Sequence, residues 1–149
     1  MAKAHGYRSR SAIKLLEIQK KDKFIKPHTK VLDLGSSPGG WSQVSKEIVG
    51  KNGIIFGVDK KTMQPIQAVH FLNKGLENLC ENDFKVLNEN ILPFDVVISD
   101  IAPNISGIRD RDNALMDAIL IEIRQCIDNF LKVKGTALCK VFKVKILTT

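Results

Sequence analysis

Short, nearly unbroken apolar runs alternate along this chain with longer stretches in which apolar residues return every three or four positions. Val31, Leu32 and Leu34 form the first run, Gly53 to Val58 the second and Phe94 to Ile98 the third. Runs this short and this rich in branched residues read as strands buried on both faces of a parallel sheet. A weaker strand is expected at Ala68 to Leu72, and a fifth at Thr136 to Val144, with Gly135 ending the turn before it. Helical spacing is clearest in Met116, Ile119, Leu120, Ile123, Ile127, Phe130 and Leu131, which predict a core-facing helix capped by Asp112 or Asn113. Ser42 to Val49 reads as a second helix, and the polar stretch from Glu77 to Asn90 holds a short third one. A first helix is expected from a cap at Ser9 or Ser11 to about Lys20, with Ile13, Leu16 and Ile18 partly facing the core. Strands alternating with helices give one α/β domain with a doubly wound, mostly parallel sheet.

The first run breaks into Gly35-Ser-Ser-Pro-Gly-Gly-Trp41. Gly35, Gly39 and Gly40 permit positive φ and close backbone approach at a strand's carboxyl end, where open α/β sheets bind ligands. The loop has neither the Gly-Lys-Ser/Thr ending of a phosphate-cradling loop nor the Gly-x-Gly-x-x-Gly spacing of a dinucleotide site. An adenosyl ligand without a phosphate fits better. Asp59 closes the second run about 20 residues past the loop, the offset of an acid that accepts from ribose hydroxyls, although the same residue could simply cap a strand or turn. Asp100 ends the third run, and Pro103 holds Ala102 extended just beyond it. Trp41 has two readings, packing on the ligand and anchoring the helix that follows.

Charge adds a partner to this picture. The net charge is +7, and residues 1–30 hold nine Lys and Arg against Glu17 and Asp22, while the rest of the chain is balanced. A basic segment of this kind gives salt-dependent affinity for nucleic acid, with Arg8, Arg10 and Lys14 as candidate contacts. The competing reading makes Lys20 to Lys30 a solvated bridge to the first strand. Charges at Asp117, Glu122, Arg124 and Asp128 interrupt the most apolar helical stretch, and Met1 leads into no signal-type apolar core, so no membrane span is expected. Cys80, Cys126 and Cys139 show no metal spacing and read as reduced, buried thiols of a cytoplasmic protein. His5, His28 and His70 are scattered and receive no role, so no metal site is assigned.

Four segments taken together resemble the FtsJ-type RNA 2′-O-methyltransferases: Arg8-Ser-Arg-Ser-Ala-Ile-Lys14-Leu, Leu32-Asp-Leu-Gly-Ser-Ser-Pro-Gly-Gly-Trp-Ser-Gln43, Ser99-Asp-Ile-Ala-Pro-Asn-Ile-Ser-Gly107 and Lys140-Val-Phe142. The resemblance runs in the family's order from Gly6 to Phe142. It implies a Rossmann-like fold and S-adenosylmethionine as methyl donor, with Gly39, Trp41, Asp59 and Asp100 among its contacts beside Gly35 and Gly40 of the loop. It also implies methylation of a uridine ribose in large-subunit ribosomal RNA; the protein is expected to be a monomer. Lys14, Asp100 and Lys140 fall on the first three positions of a catalytic Lys-Asp-Lys-Glu set; the fourth has no counterpart.

Such residues suit the chemistry, because an activated methyl needs mainly an aligned hydroxyl and removal of its proton. Lysine is protonated at neutral pH, and desolvation or a second cation favours the neutral amine, which makes Lys140 the expected base with Lys14 as its neighbouring cation. Asp100 would orient Lys140, and Lys14 could also steady charge on the attacking oxygen.

Two departures from the family stand out. Gly75 replaces a carboxylate expected near the adenine, with Glu77 or Asn78 as substitutes. The chain also looks shortened at both ends, with strands after the fifth missing and a tail, residues 143–149, that suggests a change of reading frame or truncation. The expected organisation is therefore a basic RNA-contacting segment (1–30), a donor-binding core (31–142) and that tail. Two other readings stay open, an RNA-binding relic without activity and a different S-adenosylmethionine enzyme. Asp100-Ile-Ala-Pro-Asn104 speaks against base methylation, and the basic start against a small acceptor.

Overall fold

The structure, a computed structural model, describes residues 6–101 and 106–141. Ala102, Pro103, Asn104, Phe142 and the tail 143–149 lie outside the described residues, and so do the expectations placed on them. Among the described residues, five parallel strands form one sheet: β1 (Lys30–Leu34), β2 (Ile54–Asp59), β3 (Val69–Asn73), β4 (Phe94–Ser99) and β5 (Leu131–Cys139), in the order β3-β2-β1-β4-β5. The helices are α1 (Ser11–Asp22), α2 (Gly40–Val49), α3 (Glu81–Lys85) and α4 (Arg109–Phe130), with a 3-10 turn at Leu76–Asn78. Strand alternation sorts the apolar runs onto two faces. Val31, Ile55, Val96 and Ile98 pack with Ala12 and Leu15 of α1 and with Trp41 and Val44 of α2. Leu32, Leu34, Phe56, Val58 and Val97 pack on the other side with Phe84, Ile123, Cys126 and Phe130. Both faces are covered, which is why these strands carry unbroken apolar runs.

Local signals misplace several boundaries. Neither Ser9 nor Ser11 caps α1; their hydroxyls bond each other at 2.9 Å, and Arg10 in the N-cap position makes no capping bond. α4 begins at Arg109, ahead of Asp112 and Asn113. Asp112 instead reaches back to accept from the Ser106 N–H, the Ser106 hydroxyl and the Gly107 N–H, so it fastens the preceding loop. These bonds hold its carboxyl below the usual range. β5 follows α4 without an intervening turn. Leu131, the last residue of the helical stripe, already pairs with Phe94; Gly135 lies inside the strand, in an irregularity that ends where Thr136 meets Val96. Cys80 is exposed rather than buried, at the start of α3, where Asp83 accepts from its N–H at 2.8 Å.

Candidate active site

The strand order reverses between β1 and β4, and the crevice outside their carboxyl ends is where doubly wound sheets take ligands. That place holds a small crevice lined by Ser9, Ser11, Asp33, Gly35, Ser36, Ser37, Pro38, Gly40, Trp41 and Asp100. Gly35 (φ 73°) and Gly39 (φ 121°) adopt backbone conformations disfavoured for other residues, and a Cβ on Gly35 would overlap Ile101. The turn thus stays tight enough for the Gly35 and Ser36 N–H groups to donate to Val58 O at 2.7 and 3.1 Å. Trp41 is buried and donates from Nε1 to Ser11 O at 2.8 Å, so it anchors α1 to α2 while also lining the crevice.

The residue that sequence reasoning missed is Asp33. It interrupts an apolar strand, and a charged residue at a position the pattern buries was the available signal. On the α2 side of β1 it is 1% exposed; Oδ2 accepts from Ser42 Oγ at 2.7 Å, and the buried Oδ1 has no partner among the described residues. Burial pushes its carboxyl up to about 7, the Ser42 hydrogen bond opposes this, and the charges of Asp100 and Asp59 add to it. A crevice walled by Asp33 and Asp100, with no Lys or Arg among the described residues that line it, suits the cationic end of a ligand better than a phosphate.

Asp100 and Lys140 are brought together. Lys140 directly follows β5, its N–H donates to Ser99 O at 2.9 Å, and its Nζ lies 3.5 Å from Asp100 Oδ1. Lys14 is not gathered with them: it stands on the exposed face of α1 with its Nζ 3.9 Å from Glu17. Asp59 accepts from the Ser37 N–H and the Lys61 N–H, both at 2.9 Å, which ties the glycine loop to the end of β2 and leaves part of the carboxylate's acceptor capacity open. It thereby fills the turn-capping role whether or not it also meets a ribose. Arg8, one of the expected RNA contacts, donates from its guanidinium to the carbonyls of Pro38, Gln64 and Pro65. Arg10 is exposed. Glu77 folds its carboxylate over Gly75, into the space where a side chain at residue 75 would begin.

Comparison with known proteins bears on the fold and the family. A sequence model described as FtsJ-like methyltransferase matches residues 7–148. The ribosomal RNA large subunit methyltransferase E of Neisseria meningitidis serogroup B is 42% identical over 146 residues, covering 96% of this chain and 69% of that protein. The protein of the same name from Coxiella burnetii is 41% identical over 152 residues, covering 95% and 69%. A solved ribosomal RNA methyltransferase from Plasmodium falciparum superposes with a TM-score of 0.82 at 29% identity, covering 93% of this chain and 80% of that one. By fold, by motif and by the span of these matches, the chain belongs to the FtsJ-like methyltransferase family.

Proposed function

We propose that this chain transfers a methyl group from S-adenosylmethionine to the 2′-hydroxyl of a uridine in large-subunit ribosomal RNA. The carrying observation is the acid-walled crevice at the sheet's reversal point, with the buried Asp33 in its wall and the Asp100–Lys140 pair beside it. The relatives' names supply the RNA. The donor set fits S-adenosylmethionine, whose methionine end carries an ammonium and a sulfonium and no phosphate. Bound there, it supplies an electrophilic methyl group. Asp33 and Asp100 would hold the ammonium, the Gly35–Gly40 turn would approach the ligand closely, and Asp59 would take ribose hydroxyls with its remaining acceptor sites. The Glu77 carboxylate, set over Gly75, is the candidate acceptor for the adenine amine. Lys140, oriented by Asp100, would receive the proton of the attacking hydroxyl.

A second reading, a chain that binds donor and RNA but turns over poorly, draws on the position of Lys14, which faces solvent beside Glu17 rather than the Asp100–Lys140 pair. One sequence of measurements separates the two. Calorimetry of the folded protein with S-adenosylmethionine should show binding; incubation with unmethylated large subunits and donor, followed by nucleoside analysis, should show 2′-O-methyluridine. Donor binding without methyl transfer selects the second reading. No binding to folded protein, or methyl groups on a base, refutes the proposal.

A further inference from the structure

We propose that Arg8 is a positioning residue of the donor site, a splint through which the RNA-facing segment and the glycine loop bind their ligands cooperatively; this rests on the methyltransferase reading above. Three segments meet at its side chain. Nη1 donates to Pro38 O at 3.0 Å and to Gln64 O at 2.5 Å, and Nη2 donates to Pro65 O at 2.9 Å. Pro38 lines the crevice, and so does Ser9, the residue after Arg8. Gln64 and Pro65 belong to the segment after β2, whose Thr62 O accepts from Ser37 Oγ at 3.1 Å. The backbone of Arg8 is fixed as well: its N–H donates to Gln43 Oε1 at 2.9 Å, and Gln43 Nε2 donates back to Gly6 O at 3.3 Å.

All three acceptors of the guanidinium are main-chain carbonyls, so what they demand is a planar fork that spans two loops rather than a positive charge as such. Gly39 shows how closely the splint sits. A Cβ there would stand 3.3 Å from Arg8 Cδ and Nη1 and 2.6 Å from Ile66 Cδ1. Seven residues of the basic segment, Gly6 to Ala12, therefore hold the loop at the donor crevice. RNA that orders this segment also orders the loop, and a donor that orders the loop also orders the segment. Linkage makes the two effects equal in factor.

The test compares wild type, Arg8→Ala, Arg8→Lys and Arg10→Ala. Donor affinity is measured by calorimetry with S-adenosylmethionine. Affinity for protein-free large-subunit ribosomal RNA is measured across a salt series, with and without S-adenosylhomocysteine, which cannot react. Arg8→Ala should weaken donor binding about tenfold, the effect of losing one charge-assisted hydrogen bond. It should leave the salt slope of RNA binding unchanged and abolish the enhancement of RNA binding by S-adenosylhomocysteine, which in wild type should be about fivefold or more. Arg8→Lys, which keeps the charge and the fold but loses the fork, should behave alike. Arg10→Ala should do the reverse, flattening the salt slope with donor binding intact. Wild-type donor affinity in both Arg8 variants, or a flattened slope with donor binding untouched, makes Arg8 an ordinary phosphate contact and overturns the inference. A wild-type protein that binds no donor refutes the methyltransferase reading itself, and the inference falls with it.

Discussion

At the scale of single residues, Asp33 has the sharpest consequences. Its carboxyl is raised to about 7 in the folded protein from an ordinary value of 3.8, so the folded state favours the proton. The unfolded chain releases that proton from about pH 4 upward while the folded chain retains it until about pH 7. Asp33 thus favours the folded state at low pH, and this contribution is lost as pH rises through the window between those values. Asp33→Asn should therefore gain stability relative to wild type progressively from pH 4 to pH 7, read from urea midpoints at each pH; a constant difference would mean that Asp33 does not titrate in that window. The same substitution should weaken S-adenosylmethionine binding, and more strongly at pH 8 than at pH 6, because the ionised carboxylate is the form that holds an ammonium. Lys140 is the other decisive residue. Lys140→Ala should lower the methyl-transfer rate about 100-fold or more, the scale of general-base catalysis, with donor affinity nearly unchanged. Lys140→Arg, which keeps the charge but cannot accept the proton, should be as slow as the alanine variant, and activity in either would remove Lys140 from the base role.

At the scale of elements, what was legible was what burial dictates. β1, β2 and β4 are buried on both faces, so their apolar runs stand out from any flanking sequence. Helix starts were not legible, because α1 and α4 begin without a side-chain cap, and the Ser, Asp and Asn residues near them bond elsewhere. The end of α4 was hidden for the opposite reason: Leu131 continues the apolar stripe of the helix although its backbone already belongs to β5. The crevice was partly legible. Its glycines and Asp100 lie at strand ends, whereas the partners of Arg8 and Asp59 are backbone groups that no spacing rule reveals.

Phe84 was also hidden, as one ring in a polar stretch. It is fully buried, and its ring lies 4.9 Å from Phe56, 5.1 Å from Phe94 and 5.0 Å from Phe130, each edge to face. α3 has five residues, too few to persist without tertiary packing, and this ring is what fixes it to the sheet. Phe84→Ala should cost about 3–5 kcal/mol in urea unfolding, with hydrogen exchange rising first around residues 81–91. A loss below about 1 kcal/mol would place the anchor elsewhere.

At the scale of the whole molecule, charge and crevice are joined by α1. The basic first thirty residues contain α1, and Ser9 and Ser11 at its start line the same crevice as Asp100, so the proposed RNA track along this segment leads to that crevice. Lys20 and Lys21 lie in the last turn of α1, where they also complement the helix dipole; Arg10 and Lys14 lie at and near its start and are exposed. Each phosphate contact contributes roughly 0.7 to 0.9 to the slope of log affinity against log salt, depending on whether the RNA is single-stranded or paired. Neutralising Arg10 and Lys14 together as Arg10→Gln and Lys14→Gln should reduce that slope by about 1.4 to 1.8 and weaken binding uniformly across RNA sequences. Neutralising Lys51 and Lys85, exposed lysines outside the first thirty residues, removes the same formal charge and should change the slope far less. Filter binding of large-subunit ribosomal RNA over a salt series measures both. Equal reductions from the two pairs would show that net charge alone governs the association, and the assignment of the RNA track to the α1 side of the crevice would have to be abandoned.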